Sequence, residues 1–95
     1  MSRAKSVCFR GTSHDDLRAF PIAARREAGF HLHQVQHGFD ADNWKPMNTI
    51  GIGVREIRIR DALGIFRVVY IAKFAGAVYV LHCFQKKLRE QARLI

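Results

Sequence analysis

Residues 54–74 decide the fold of this chain, and they read VREIRIRDALGIFRVVYIAKF. In the first half, Ile57 and Ile59 alternate with charged residues at every second position. A short turn, Asp61–Gly64, separates this segment from a second alternating one, Ile65–Phe74. A period of two is typical of a β-strand with one apolar face, and a short turn pairs two such strands antiparallel. The stretch therefore predicts a hairpin with arginines on one side.

Two further strands are predicted on either side of this hairpin. Gly76 turns the chain into a last strand over about residues 77–85, which continues the antiparallel order. Near the N-terminus, Ser6–Arg10 is a short strand with Val7 and Phe9 on one face. The sheet is therefore expected to have four strands and to be mainly antiparallel.

A short first helix is predicted between the N-terminal strand and the hairpin. Ser13 and Asp16 have the S-x-x-D form in which a hydroxyl and a carboxylate satisfy free backbone N–H groups. The helix should run from about residue 14 to residue 20. It should end there because Pro21 disfavours helical geometry at Phe20.

A second helix is predicted from Pro21 to about His37, because proline suits the first turn of a helix. Gly38 can then supply the left-handed cap. Small and aliphatic residues recur along it at helical spacing and form an apolar stripe, namely Ala24, Ala28, Leu32 and Val35. Such a stripe is suited to packing on a sheet.

Residues 38–53 show no periodicity and are interpreted as a long loop, with Trp44 closing one end of the core. The predicted fold is thus α+β, with two N-terminal helices packed on one face of a mainly antiparallel four-stranded sheet. A length of 95 residues fits a single domain covering 1–95.

The chain is strongly basic: 16 Lys and Arg against 8 Asp and Glu give a net charge of +8. Eleven of the 16 cations are arginines, whose planar guanidinium suits phosphate and carboxylate groups. A hydrophobic fraction of 48% excludes a disordered chain. The balance favours an acidic partner over a merely solvated basic surface. The leading partners are nucleic acid, the ribosome and an acidic protein segment.

The sequence disfavours disulfide-rich, metal-binding, secreted and membrane proteins, because it lacks the residue patterns that these classes require. Cys8 and Cys83 are too few and too distant for a disulfide scaffold or a zinc site, and both are interpreted as buried free thiols. Of three nearby histidines only His33 and His37 share a helical face, so neither a metal nor a cofactor is expected. The polar start and the short apolar stretch 74–84 predict no signal peptide and no membrane span, hence a cytoplasmic protein.

The candidate site is the basic face of the hairpin, because Arg58, Arg60 and Arg67 should project from the side that the helices do not cover. The last strand adds either His82 and Lys86 or Gln85 to this face, and the register decides which. Cations around a phosphodiester neutralise the charge that builds on its oxygens, and RNA cleavage by its own 2′-OH then needs little beyond a base. His82 could be that base, or a core residue of an apolar strand.

Six segments in order resemble the phage-derived HigB-like branch of the RelE/ParE toxin superfamily, from about Arg10 to Lys87. They are DLRAFP (16–21), ARREAG (24–29), WKPM (44–47), GVREIRI (53–59), FRVVY (66–70) and LHCFQKK (81–87). The resemblance implies two N-terminal helices on an antiparallel sheet. It also implies a ribosome-dependent mRNA endonuclease of a type II toxin–antitoxin pair, held inactive by a helix-turn-helix antitoxin.

The resemblance also implies roles for individual residues. Arg58 matches the basic position of the E-x-R motif, Arg67 that of F-R-V-x-Y, and Lys86 and Lys87 match F-x-K-K. The expected catalytic set is Arg58, Arg67, Lys86 and His82. The expected RNA contacts are Arg55, Arg60, Lys73 and Lys87. The chain departs from the family after Lys87, where a Lys-Thr-Pro-like continuation is usual, and in having no tyrosine after Tyr79.

Two other functions fit the same residues. A ParE-like toxin would use the fold to bind DNA gyrase without enzymatic activity. An inactive module would hold RNA or an acidic peptide through its cations, with steep salt dependence. The expected partners of the leading interpretation are the antitoxin, the ribosome and mRNA, with no membrane and no metal. The sequence does not fix the oligomeric state, so a homo-oligomer stays open.

Overall fold

A computed structural model of the chain describes residues 4–86. Two helices and five strands follow one another in the order β1 (Ser6–Phe9), α1 (Ser13–Arg18), α2 (Ile22–Gln36), β2 (Trp44–Pro46), β3 (Val54–Asp61), β4 (Gly64–Ile71) and β5 (Ala77–Lys86). The strands form one sheet in the spatial order β1-β5-β4-β3-β2. Only β1 runs parallel to its neighbour, and the other pairs are antiparallel. The α+β class and the mainly antiparallel sheet are confirmed.

The strand count differs from the expectation of four, because the predicted loop contains the short edge strand β2. Three residues that end in a proline are too few to show alternation, and proline in a sheet is confined to edges and strand ends. Trp44 lies opposite Ile57 and packs against the core, as predicted. The Arg55 guanidinium makes a cation–π contact with the Trp44 ring, with its central carbon 4.0 Å from the ring centroid.

The start of α1 also differs from the prediction. Thr12, not Ser13, precedes the helix, and the Thr12 hydroxyl donates to Asp16 Oδ2 at 2.8 Å. Ser13 is instead buried, and its Oγ donates to the Val80 carbonyl oxygen at 3.1 Å. The hydroxyl therefore ties α1 to β5 because a long-range acceptor is available, which local sequence cannot reveal.

The second helix covers one face of the sheet with its apolar stripe. Every predicted member of that stripe is buried in the core, namely Ala24, Ala28, Leu32 and Val35. The two alanines let the helix approach the sheet closely, and a fully buried Val68 and Tyr70 lie in the same core. Gly38 has φ +87° just after the helix, as the predicted left-handed cap requires. No helix within residues 4–86 combines the length and apolar character needed to cross a membrane.

One irregularity in β5 decides which of its side chains face the helices. Val69 pairs with His82 but Tyr70 pairs with Val80, so Leu81 is an extra residue in this strand. Val80 before this bulge and Cys83 after it are both buried in the core. The bulge therefore turns His82, Phe84 and Lys86 to the other side of the sheet, which we call the open face.

The two cysteines differ more than the sequence indicates, since Cys8 is only half-buried. Burial raises the pKa of the Cys83 thiol to about 12, and the negative charge of Asp16 adds to this shift. A thiol must lose its proton to be alkylated, so a raised pKa suppresses the reaction. At pH 8.5, iodoacetamide is expected to modify Cys8 at least tenfold faster than Cys83 by mass spectrometry. The difference should vanish in denaturant, and equal rates in the folded protein would contradict the burial of Cys83.

Candidate functional site

The open face is built from three rows of side chains that cross the sheet, as its register shows. The first row is Lys45, Glu56, Val69 and His82; the second is Arg58, Arg67 and Phe84; the third is Arg60, Ile65 and Lys86. The helices pack on the opposite side, against Ile57, Ile59 and Val68. The structure thus brings together Arg58, Arg60, Arg67, His82 and Lys86. Of the two alternatives for the last strand, His82 and Lys86 face the same side as the arginines, and Gln85 does not.

A buried carboxylate holds the two central arginines. Glu56 Oε1 lies 3.5 Å from Arg58 Nε, and Glu56 Oε2 accepts a hydrogen bond from Arg67 Nη1 at 3.2 Å. The Glu56 side chain is 1% exposed, whereas Arg58 is 37% and Arg67 12% exposed. Arg58 and Arg67 are directly opposite in the register, where like charges repel each other. Glu56 offsets that repulsion and fixes both guanidinium groups.

The open face is strongly positive within the part of the chain that the structure describes. Five of its side chains are cations and one is a carboxylate, which leaves +4 with His82 neutral: Lys45, Arg58, Arg60, Arg67 and Lys86 against Glu56. Such a field on a rigid sheet attracts polyanions. A strand of RNA laid across the rows would meet cations in each of them.

His82 is an exposed residue of this face, so its interpretation as a core histidine is wrong. Its ring stacks on Phe84, with centroids 4.9 Å apart and an interplanar angle of 27°. Phe84 lies directly opposite Arg67, and Lys86 follows two residues later. At about 3.3 Å per residue, His82 and Lys86 lie roughly 6–7 Å to either side of the central row. A phosphate seated on Arg58 and Arg67 would therefore have an imidazole on one side and an ammonium on the other.

Two predicted RNA contacts, Arg55 and Lys73, do not belong to this cluster. Arg55 lies on the helix side of β3, where it bonds Asp40 Oδ1 at 3.0 Å. The alternation of the sequence predicts that Lys73 lies on the same strand face as Arg67. In the structure β4 ends at Ile71, two residues before Lys73, so Lys73 is not part of that face. Both line a separate cleft at the end of α2. Lys87 lies outside the described residues.

Sequence reasoning assigned no role to three residues that complete the open face. Lys45 stands opposite Glu56 on the short strand β2, which the sequence does not reveal. Phe84 could be placed only once the bulge was known. Glu56 did carry a signal, because it shares the strand parity of Arg58. No group of three or more potential metal ligands occurs within residues 4–86.

The sequence matches a known protein family, and the fold matches a solved structure. Residues 15–92 match the family described as "Phage derived protein Gp49-like (DUF891)". The fold is similar to that of a double arginine-to-alanine mutant of the E. coli toxin RelE in the free state, with a TM-score of 0.65 and 18% identity over 93% of this chain and 90% of that one. No curated protein matches significantly. The chain therefore has a fold similar to that of the toxin RelE and belongs to the phage-derived Gp49-like family.

Proposed function

We propose that this protein is the toxin of a type II toxin–antitoxin pair, of the HigB-like kind, and that it cleaves mRNA on the ribosome in the cytoplasm. One observation carries the proposal: Arg58 and Arg67 stand side by side on the open face, are fixed by Glu56, and are flanked by His82 and Lys86. The proposed regulator is a helix-turn-helix antitoxin that binds the toxin and silences it. The proposed reaction needs no cofactor.

The proposed reaction is attack by an RNA 2′-OH on the adjacent phosphodiester. The bond from the 2′-oxygen to phosphorus forms while the bond from phosphorus to the 5′-oxygen breaks. Arg58 and Arg67 stabilise the charge that gathers on the non-bridging oxygens, which is the largest catalytic term for such groups. His82 accepts the 2′-OH proton, and the Lys86 ammonium on the other side donates a proton to the departing 5′-oxygen, which leaves a 2′,3′-cyclic phosphate and a 5′-OH. These roles follow the placement of His82 and Lys86 on either side of the central row.

The open face also offers a surface on which a base could stack. The His82 and Phe84 rings form a stacked pair beside the arginine row. Stacking of a base on an aromatic ring contributes about 1–3 kcal/mol and tolerates any base. The surface therefore suits a single strand of RNA whose bases are unpaired.

A reporter experiment tests the proposal. The chain is induced in a sensitive host that carries one transcript with and one without a ribosome-binding site, and the 5′ ends of both are mapped. We expect new ends only in the translated transcript, and none when a cognate antitoxin is co-expressed. Ends in both transcripts would reject ribosome dependence. Growth arrest with intact transcripts and reduced gyrase supercoiling would replace the proposal by the ParE-like function.

Replacement of His82 by alanine is expected to lower the cleavage rate by about 10²–10⁴-fold, which is the usual contribution of a general base. The change should leave the melting temperature within error, because the ring is exposed and, among residues 4–86, its aromatic partner is Phe84 alone. Single-turnover cleavage on purified ribosomes measures the effect. His33→Ala is the matched control, since His33 is an exposed histidine of α2. Equal rates for His82→Ala and the wild type would remove His82 from the proposed reaction.

A further inference from the structure

A second basic cleft lies on the helix side of the sheet, away from the open face. It has a volume of about 220 Å³ and is bounded by the end of α2, the turn before β3 and the chain after β4. Three cations line it, namely Lys5, Arg55 and Lys73, against the single carboxylate of Asp40. The lining thus carries +2, which matches the charge of a phosphate group.

The three cations are held in different ways. Lys5 Nζ donates to the Ala72 carbonyl oxygen at 2.5 Å. Arg55 is fixed by Asp40 and by the Trp44 ring. Lys73 runs across Gly53, where an added Cβ would lie 3.1 Å from Lys73 Cδ. A small residue at position 53 therefore keeps the path of this lysine side chain clear.

A buried tyrosine hydroxyl lies close to Arg55, one of the residues that line the cleft. Tyr70 is the cross-strand partner of Arg55 and is 0% exposed. Within residues 4–86 its hydroxyl has no hydrogen-bond partner of good geometry, although the Arg55 guanidinium lies close to it. A buried hydroxyl without a well-aligned partner is costly, and a ligand that reached it would relieve that cost. Burial raises the pKa of Tyr70, and hydrogen bonding to Arg55 and the positive charge of its guanidinium oppose this shift, so the two groups are close.

An exposed aromatic ring stands at the rim. Phe39 lines the cleft and is 68% exposed. A phenylalanine that is left in solvent beside a group of cations resembles the stacking surfaces on which proteins bind bases. The cleft volume equals that of about seven waters in the liquid, which accommodates a phosphate with part of a nucleoside.

We propose that this cleft binds one nucleotide, with its phosphate held by Lys5, Arg55 and Lys73 and its base stacked on Phe39. A simple carboxylate ligand fits less well, since it has no base to cover the exposed Phe39 ring. The nucleotide can belong to an RNA strand or be free. The site is separate from the open face. It would therefore be a second RNA-binding site or a binding site for a free nucleotide.

Titration of the ¹⁵N-labelled full chain tests the proposal. The probes are inorganic phosphate, 5′-AMP and a 2′-O-methyl tri-adenosine that resists cleavage. We expect saturable shifts at the amides of Gly38, Gly53 and Lys73, with AMP binding at least about fivefold tighter than phosphate because of stacking. Tighter binding of the trinucleotide than of AMP identifies an RNA strand as the source, and equal binding identifies a free nucleotide.

Matched variants decide whether the cleft is specific. Lys73→Gln is expected to weaken AMP about tenfold, as the loss of a charge-assisted hydrogen bond does. Arg26→Gln removes the same charge from an exposed site on α2 and should change binding less than twofold. Arg67→Ala should leave AMP binding unchanged, so this site and the proposed cleavage site can fail separately.

Three results would overturn the proposal. They are the absence of saturable shifts at these amides, an equal loss of binding in the Lys73→Gln and Arg26→Gln variants, and displacement of AMP by N-acetylglutamate at equal concentration. The first result would show that the cleft binds none of the probes. The second would show that binding reflects general attraction to a basic protein, and the third would show that the cleft prefers a carboxylate ligand.

Discussion

The Arg67→Ala variant is expected to lose transcript cleavage by about 10²–10³-fold, the usual effect of removing one preorganised donor to a developing negative charge. Arg67 stands at the centre of the open face, opposite both Arg58 and Phe84. Its guanidinium is the better bonded partner of Glu56, at 3.2 Å against 3.5 Å for Arg58. Growth after induction and single-turnover cleavage on ribosomes measure the loss.

Two controls separate chemistry from folding in this experiment. Arg67→Lys keeps the charge but not the planar fork, so it should recover only part of the activity. Arg26→Ala removes an arginine from the exposed side of α2 and should cleave at the wild-type rate. Circular dichroism should show that Arg67→Ala is folded, because Glu56 keeps Arg58 as a partner. Undiminished toxicity of a folded Arg67→Ala chain would refute the assigned site.

The Glu56→Leu variant is expected to lose about 2–4 kcal/mol of unfolding free energy and at least tenfold in cleavage rate. This loss of unfolding free energy is smaller than the roughly 3–5 kcal/mol that breaking a fully buried ion pair costs, because both arginines are partly exposed to solvent. Without the carboxylate, two guanidinium groups face each other directly and repel. They would also lose the positions that the proposed reaction requires.

Urea unfolding and cleavage assays on the same samples measure both losses. Glu56→Gln keeps an acceptor oxygen for one arginine and should fall between Glu56→Leu and the wild type in both assays. Arg58→Ala in the Glu56→Leu background should restore part of the stability, because it removes the repulsion. A Glu56→Leu chain as stable as the wild type would show that the carboxylate does not hold the arginine pair.

Much of this architecture follows from local periodicity. Alternation along β3 and β4 was sufficient to place Arg58, Arg60 and Arg67 on one face and Ile57 on the other, because a strand turns successive side chains to opposite sides. Helical spacing was likewise sufficient to predict the buried stripe of α2. These signals repeat every two to four residues, so they can be read from neighbouring positions alone.

The rest depends on pairings between distant segments. The bulge at Leu81 turns His82 and Lys86 to the open face, and β2 brings Lys45 beside Glu56. Arg55 and Lys73 instead belong to the second cleft, because β4 ends two residues before Lys73 and the loop after α2 supplies Asp40. Sequence alone determined four of the five strands, the two helices and the arginine face. Only the tertiary structure decided which other cations join that face, because register and loop position depend on long-range contacts.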